Sequence, residues 1–301
     1  MSGRRRWLPA LLRQPAGLFS SIVLALLVLA AAVSLLWTPR DPNEADTARA
    51  WLPPGPSFWL GTDGAGKDIV SQLLAGARVS VVVIVGAALV AGVLGIAVGA
   101  LASLTARWVR EPLAVLIDIL IAFPTLLIAM MLAAVFGGSL IVVVAAVGIG
   151  YGVSIARVLR AEIAQVAGAD FILAARAAGL GRLAIARRHI LPNVAPVFIV
   201  QLSLSAALAL LAEAALSYLG YGAPSGTPSW GRMLAQVQGY ISVHPLAALW
   251  PGLAITLTVL ALNLFGDALR EATDPRLLRP SARPMDDADP ADQALRLGVG
   301  R

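Results

Sequence analysis

The amino-acid sequence predicts an all-α integral membrane protein with six transmembrane helices. The first observation is composition: 58% of the 301 residues are hydrophobic and only 13% are charged, whereas soluble domains carry about 25% charged residues. The mean hydropathy of +0.82 agrees with this. The second is that the apolar residues form runs of about 20, which is the length of a membrane-spanning helix. The third is that basic residues lie between these runs rather than within them.

Six apolar segments are long enough to cross the hydrocarbon core. They are residues 17–37, 80–104, 113–136, 140–158, 194–219 and 246–269. The first follows three arginines and could be a signal peptide, but its apolar stretch exceeds the usual length of about 7–15 residues and no convincing cleavage site follows. We interpret it as an uncleaved anchor. Pro124 predicts a kink in the third span, and Gly95 and Gly99 form a G-x-x-x-G pattern that permits close helix contact.

The distribution of positive charge predicts the topology, because translocated loops are depleted in Lys and Arg. One set of segments is basic: Arg4, Arg5, Arg6, Arg13, Arg107, Arg110, Arg157, Arg160, Arg176, Arg182, Arg187, Arg188, Arg270, Arg276, Arg279, Arg283, Arg296 and Arg301. The opposite set holds only Arg40, Arg49, Lys67, Arg78 and Arg232. Both termini are therefore predicted to be cytoplasmic, which requires an even number of spans.

These assignments divide the chain into five parts. They are a cytoplasmic N-terminus (1–16), the first transmembrane helix (17–37), an extracytoplasmic loop (38–79), a transmembrane core (80–280) that contains a cytoplasmic loop (159–193), and a disordered cytoplasmic tail (281–301). A second extracytoplasmic segment, about 220–245, carries Trp230 and Tyr240, residue types that suit contact with a partner protein.

The residue inventory excludes several kinds of chemistry. The chain has no cysteine and two histidines, His189 and His244, which lie far apart in sequence, so disulfides, thiolate metal sites and a histidine cluster are excluded. A net charge of +6 could indicate nucleic acid, but the basic residues lie between spans rather than on one face. We therefore predict no metal site, no catalytic residues and no nucleic-acid partner.

The segment from Gly61 to Asp68 resembles the phosphate-binding loop G-x-x-x-x-G-K-[ST]. That loop needs a Ser or Thr hydroxyl where Asp68 stands, and a buried strand where a proline-rich loop precedes. We interpret the segment as a turn that leads into a short amphipathic helix containing Ile69, Leu73 and Leu74.

Two carboxylates lie within predicted spans, where a charge is costly and usually faces a cavity or a partner. Asp118 either lines a polar path or reaches water at the cytoplasmic interface. Glu213 lies about six residues from the outer end of its helix, and we predict a structural or path-lining role for it. Pro124 is grouped with these two residues as a candidate for the path or for helix packing.

The loop between the fourth and fifth spans is too polar and basic to cross the bilayer, yet it contains a helical pattern from Phe171 to Ala178. Gly179 is predicted to end the first helix, and a second helix is predicted to end at Pro192. The loop therefore reads as a helix-turn-helix at the cytoplasmic face. Its small side chains either let another protein approach closely or rest on lipid headgroups beside the arginines.

At this loop the chain resembles the permease subunits of ATP-binding-cassette importers. Their signature is E-A-A, three residues, glycine, nine residues and I-x-L-P; this chain has Leu173-Ala174-Ala175, Gly179 and His189-Ile190-Leu191-Pro192. Leu173 replaces the glutamate and His189 the isoleucine. Further segments, among them Trp59 to Asp68, Ala212 to Gly220 and Pro228 to Gly231, are similar to the second permease of the dipeptide, oligopeptide and nickel group. The matches run from about residue 20 to 280.

The resemblance implies a type I importer permease fold in a bacterial inner membrane. It also implies a second, homologous permease, one fused or two separate cytoplasmic ATPases that bind ATP and Mg²⁺, and an extracytoplasmic solute-binding protein. This chain would bind no cofactor. Residues expected to couple the permease to the ATPase are Ala174, Ala175, Gly179, Leu180, Ile190, Leu191 and Pro192, and those expected to contact the binding protein are Trp230 and Tyr240.

The resemblance favours di- or oligopeptides as the substrate, with nickel complexes or haem-like ligands as alternatives. A secondary transporter that needs no ATPase is a less favoured reading, because neither an ion-coordinating cluster nor a clear inverted repeat is present.

Overall fold

The computed structural model describes Leu11 and residues 14–273, and within this part the chain is helical, without strands. The helices are α1 (Pro15–Leu36), α2 (Ile69–Leu104), α3 (Arg107–Ile121), α4 (Thr125–Phe136), α5 (Leu140–Ala167), α6 (Asp170–Ala177), α7 (Arg182–Ile185), α8 (Leu191–Tyr218), α9 (Trp230–Val237) and α10 (Pro245–Thr273). The predicted tail (281–301) and the first arginines lie outside the described residues.

Five of these segments are long and apolar enough to cross a membrane, and α3 and α4 together make a sixth candidate. The third span was predicted as one kinked helix over 113–136, but the chain breaks between Ile121 and Thr125 and the two halves differ in direction by 79°. Pro124 precedes the first residue of α4. Proline disfavours a helical conformation in the residue before it and cannot donate a backbone hydrogen bond, so it breaks this span instead of bending it.

Helix α2 is longer than predicted. We expected a separate short helix before a span that starts at residue 80, but one continuous helix of 36 residues begins at Ile69. The Asp68 carboxylate caps this helix by accepting hydrogen bonds from the backbone N–H and the hydroxyl of Ser71, at 2.8 and 2.6 Å. The loop before α2 therefore ends at residue 68, not at residue 79.

Helices α2 and α5 pack together through glycines on both surfaces. A Cβ atom added at Gly95 would lie 2.7 Å from Ile155 Cβ, and one added at Gly99 would lie 3.0 Å from Leu159 Cβ. On α5, Gly148 meets Val90 and Gly152 meets Leu94 in the same way. The G-x-x-x-G pattern is therefore a packing surface, as the sequence predicts.

We expect Gly95→Leu to prevent correct packing of α2 on α5, because the new side chain would occupy the space of Ile155. Overpacking of a dense interior costs about 1–3 kcal/mol or more. The measurement is the yield and the thermal transition of monodisperse protein in detergent. Gly252→Leu is the control, since a Cβ there meets nothing within 4 Å; equal behaviour of the two variants would contradict the packing role.

The bundle has two distinct ends. Helix α8 starts beside α6 and α7 and ends beside α9, and we call these the hairpin end and the α9 end. At the α9 end, one core cluster joins α1, α2, α8, α9 and α10 and includes Ile84, Leu210, Trp230, Met233 and Ile255. At the hairpin end, a second cluster joins α5 and α8 to α6 and α7. The pair α6 and α7 at one end and α9 at the other end are thus packed against the spans.

Candidate functional site

The segment from Gly168 to Ile190, which contains α6 and α7, forms a hairpin held to the spans by its apolar face. Ile172 and Ala175 of α6 are buried against Ile163 of α5, Ile185 of α7 and Val194 of α8. The opposite face of α6 is exposed and carries Leu173, Ala174, Ala177 and Ala178. We call this segment the α6–α7 hairpin.

Gly179 ends α6 as predicted. Its φ of +82° lies in the left-handed region, which costs other residues about 1–2 kcal/mol and glycine almost nothing. The Leu180 N–H donates to the Ala175 carbonyl at 3.1 Å and the Gly179 N–H donates to the Arg176 carbonyl at 2.9 Å. These two bonds form a Schellman motif. The chain can therefore turn directly from α6 into α7.

The prediction that a second helix ends at Pro192 is wrong. The chain from Arg182 to Tyr218 is one continuous helix of 37 residues. Residues Ala186–Ile190 form a π-helical segment in which the Leu191 N–H donates to the Ala186 carbonyl. Pro192 occupies the first turn of α8. Proline cannot donate a backbone hydrogen bond, and its ring clashes with a carbonyl of the preceding helical turn. The wider π-helical turn before Pro192 accommodates both effects.

No loop separates the second part of the hairpin from the span α8, because both belong to one continuous helix. Ile190, the last residue of the π-helical segment, and Val194, near the start of α8, are both buried in the same cluster.

The predicted coupling residues divide into two groups. Ala174, Gly179, Leu191 and Pro192 are exposed, so a partner protein can contact them. Ala175 and Ile190 are buried and Leu180 is half-buried. These three residues pack the hairpin against the spans. The sequence does not distinguish the groups, because both contain small or apolar residues.

Asp118 lies on α3, and its side chain is 59% exposed. Its Oδ1 is 3.9 Å from Arg157 Nε on α5, and that arginine is 60% exposed. Ile117, next to it, packs with Ala102 and Ala156 near the end of α2. Asp118 therefore lies towards the hairpin end, where its charge has access to water or to a polar path.

Glu213 is fully buried on α8, where it belongs to a polar cluster near the α9 end. The Ser217 hydroxyl donates to Glu213 Oε1 at 2.6 Å, and the Ala223 N–H donates to that hydroxyl at 3.0 Å. The guanidinium of Arg232 of α9 donates to the Ala223 carbonyl. The cluster ties the end of α8 to the following loop and to α9. A structural or a path-lining role for Glu213 stays a prediction.

Trp230 is not available for the predicted contact with a binding protein, since its side chain is 4% exposed. Its indole N–H donates to the Leu73 carbonyl at 3.0 Å, and its ring lies against Gly76. The apolar ring is therefore buried, and its single donor, the indole N–H, has its hydrogen-bond partner inside the protein. Tyr240 is 51% exposed and lies 5.0 Å from the Trp51 ring, so its role in docking stays a prediction.

The segment Gly61–Asp68 is a turn, as predicted, and not a phosphate site. The Asp63 carboxylate accepts hydrogen bonds from the N–H groups of Ala65 and Lys67, both at 2.9 Å. Its other oxygen accepts from the Gln72 amide at 2.9 Å. A carboxylate thus occupies the backbone donors that a phosphate would need. In the described residues, no group of three or more His, Cys, Asp or Glu side chains could hold a metal ion.

Comparison with known proteins gives concordant results. Residues 91–279 match the family described as binding-protein-dependent transport system inner membrane component. The nickel transport system permease protein NikC of Escherichia coli K12 is 34% identical over 261 residues, which cover 87% of this chain and 94% of that protein. A protein of Brucella suis biovar 1, named as a peptide transport system permease, is 39% identical over 260 residues, or 85% and 86% of the two chains.

A solved structure of the MetNI methionine ABC transporter, in an inward-facing conformation, contains a chain of similar fold. The TM-score is 0.58 at 17% identity, and the match covers 67% of this chain and 96% of that chain.

Proposed function

The chain belongs to the family of binding-protein-dependent transport system inner membrane components, and on that premise we propose that it is the second-type permease subunit of an ATP-driven importer of di- and oligopeptides. The observation that carries the proposal is the α6–α7 hairpin. Its helix α6 carries small exposed side chains that a partner can contact, and α6 ends at Gly179 in the left-handed conformation. The second part of the hairpin then continues into the span α8 as one helix.

The mechanism follows from this continuity. ATP and Mg²⁺ are bound by a separate ATPase that docks on the exposed face of the hairpin. When the ATPase closes, it moves the hairpin, and α8 carries the displacement towards the α9 end, where the path opens to a solute-binding protein. A second, homologous permease forms the other wall of the path. The chain itself supplies no catalytic group.

Reconstitution of the complex purified from its native membrane tests the function. We expect uptake of labelled peptides into proteoliposomes that depends on both ATP and the binding protein. Uptake by the isolated chain without ATP would instead identify a secondary transporter. The similarity to NikC makes nickel a second candidate, so radioactive nickel is measured in parallel; nickel uptake that excess peptide does not reduce would overturn the peptide assignment.

The proposed orientation places the hairpin in the cytoplasm and α9 outside. Because the natural chain has no cysteine, single substitutions give clean labels. We expect a membrane-impermeant maleimide to label Tyr240→Cys in intact spheroplasts and Ala174→Cys only after the membrane is opened. Both side chains are exposed, so the reverse pattern would show that the orientation is inverted.

A further inference from the structure

An apolar cavity of about 440 Å³ opens between the spans at the hairpin end. Ile96 and Ala100 of α2, Leu159 of α5, and Val194 and Phe198 of α8 line its walls. Arg187, on the π-helical segment, contributes only the aliphatic part of its side chain to this lining.

A second cavity of about 590 Å³ adjoins the first one. The two share Leu104, Ala186 and Ile190 in their linings. The lining of the second is mixed: it includes Ser103 and Thr105 near the end of α2 and Arg176 and Arg182 of the hairpin, beside apolar residues. Neither lining contains an Asp or Glu. Together they form one groove, apolar in its depth and basic at its mouth, which we call the hairpin groove.

The depth of the hairpin groove matches one leaflet of a bilayer. Ile96 to Leu104 on α2 spans eight residues, or about 12 Å at 1.5 Å per residue. Half of the hydrocarbon core is about 15 Å. In the proposed orientation, the apolar part therefore lies at the depth of the acyl chains, and the mouth that contains Arg176 and Arg182 faces the headgroups.

We propose that the hairpin groove binds an anionic glycerophospholipid of the inner leaflet, with an acyl chain in the apolar cavity and its phosphate beside Arg176 and Arg182. A free phosphate or nucleotide would leave the apolar cavity unfilled, and an apolar helix of a partner would leave these two guanidinium groups without counter-charge. Only an amphipathic anion fills the apolar cavity and also supplies negative charge beside the arginines. The proposal rests on the proposed function for its orientation, which places this end at the inner leaflet.

The lipid would contact the underside of the hairpin, opposite the exposed face of α6. It would thereby support the hairpin at the place where the ATPase pushes, so the composition of the inner leaflet would affect coupling.

The test measures lipid retained by the full importer complex after exchange into nanodiscs of phosphatidylglycerol and phosphatidylcholine, with native mass spectrometry as the readout. We expect selective retention of phosphatidylglycerol. Arg182→Gln should lower that retention about fivefold, since one basic residue near a membrane surface contributes about that factor. Arg188→Gln, another exposed arginine outside both linings, is the matched control and should retain lipid normally.

A second pair of variants tests the apolar part. Ala100→Trp fills the cavity and should displace the lipid, whereas Leu101→Trp, at a half-exposed position outside the lining, should not. Equal retention of both phospholipids in every variant would overturn the proposal. So would a crosslink from Ala100→Cys to a second protein, which would show a protein segment in the groove. Lipid retention is measured without transport, so failure of the transport assay alone bears on the proposed function.

Discussion

Gly179→Val is expected to reduce solute uptake to less than about a tenth of the natural level while the protein still inserts in the membrane. Gly179 has a φ of +82°. The left-handed conformation costs a non-glycine residue about 1–2 kcal/mol, and it costs a β-branched residue more. No atom lies within 4 Å of an added Cβ, so the effect arises from backbone strain and not from a clash. We expect the strain to be relieved by a movement of Leu180 and α7, which would change the exposed face of the hairpin.

The measurement is uptake into proteoliposomes together with the ATPase rate of the same complex. We expect hydrolysis that no longer depends on the loaded binding protein. Gly181→Val is the control: it also has open space around its Cβ, but its φ of −67° suits any residue. Normal uptake by Gly179→Val, or an equal loss in both variants, would count against the coupling role of this turn.

Glu213→Leu is expected to destabilise the α9 end and lower the amount of assembled complex. Leucine fills much of the space but removes the acceptor of the Ser217 hydroxyl. Leaving a buried polar group unpaired costs about 1–3 kcal/mol. We expect a lower thermal transition in detergent and faster proteolysis of the loop between Leu219 and Ser229.

Glu213→Gln separates the hydrogen bond from the charge. The amide oxygen can still accept from Ser217, so this variant should retain most of the stability that Glu213→Leu loses. Ser217→Ala should resemble the leucine variant, because it leaves the Ala223 N–H without its acceptor. If Glu213→Leu melts like the natural protein, the polar cluster does not hold α9 in place.

Several features could be predicted because they depend on local chemistry. Runs of apolar residues must satisfy their backbone hydrogen bonds inside a bilayer, so their helical state follows from composition alone. The stop at Gly179 follows from the cost of left-handed backbone for other residues. The interpretation of Gly61–Asp68 as a turn also follows from local chemistry, namely Asp68 in place of a hydroxyl and a proline-rich loop in place of a buried strand.

Other features depend on partners that are distant in sequence. Tryptophan occurs at both interfaces and cores, and Trp230 is buried because Gly76, more than 150 residues earlier, leaves room for its ring. Ser217 could have been noticed four residues after Glu213, but its bond to Ala223 depends on how the next loop returns. The same holds for the break at Pro124, where composition alone does not distinguish a bend from a change of direction by 79°.

By itself, then, the sequence determined that this is a helical membrane protein, roughly where most of its apolar segments lie and that a small helix stops at Gly179. The tertiary structure alone decided which side chains of the hairpin face outward, that the third apolar segment is broken, that Pro192 begins a span within a continuous helix, and that two arginines border the mouth of an apolar groove. The physical reason is that secondary structure in a bilayer is determined by each segment's own backbone and hydropathy, whereas exposure depends on which surfaces pack together.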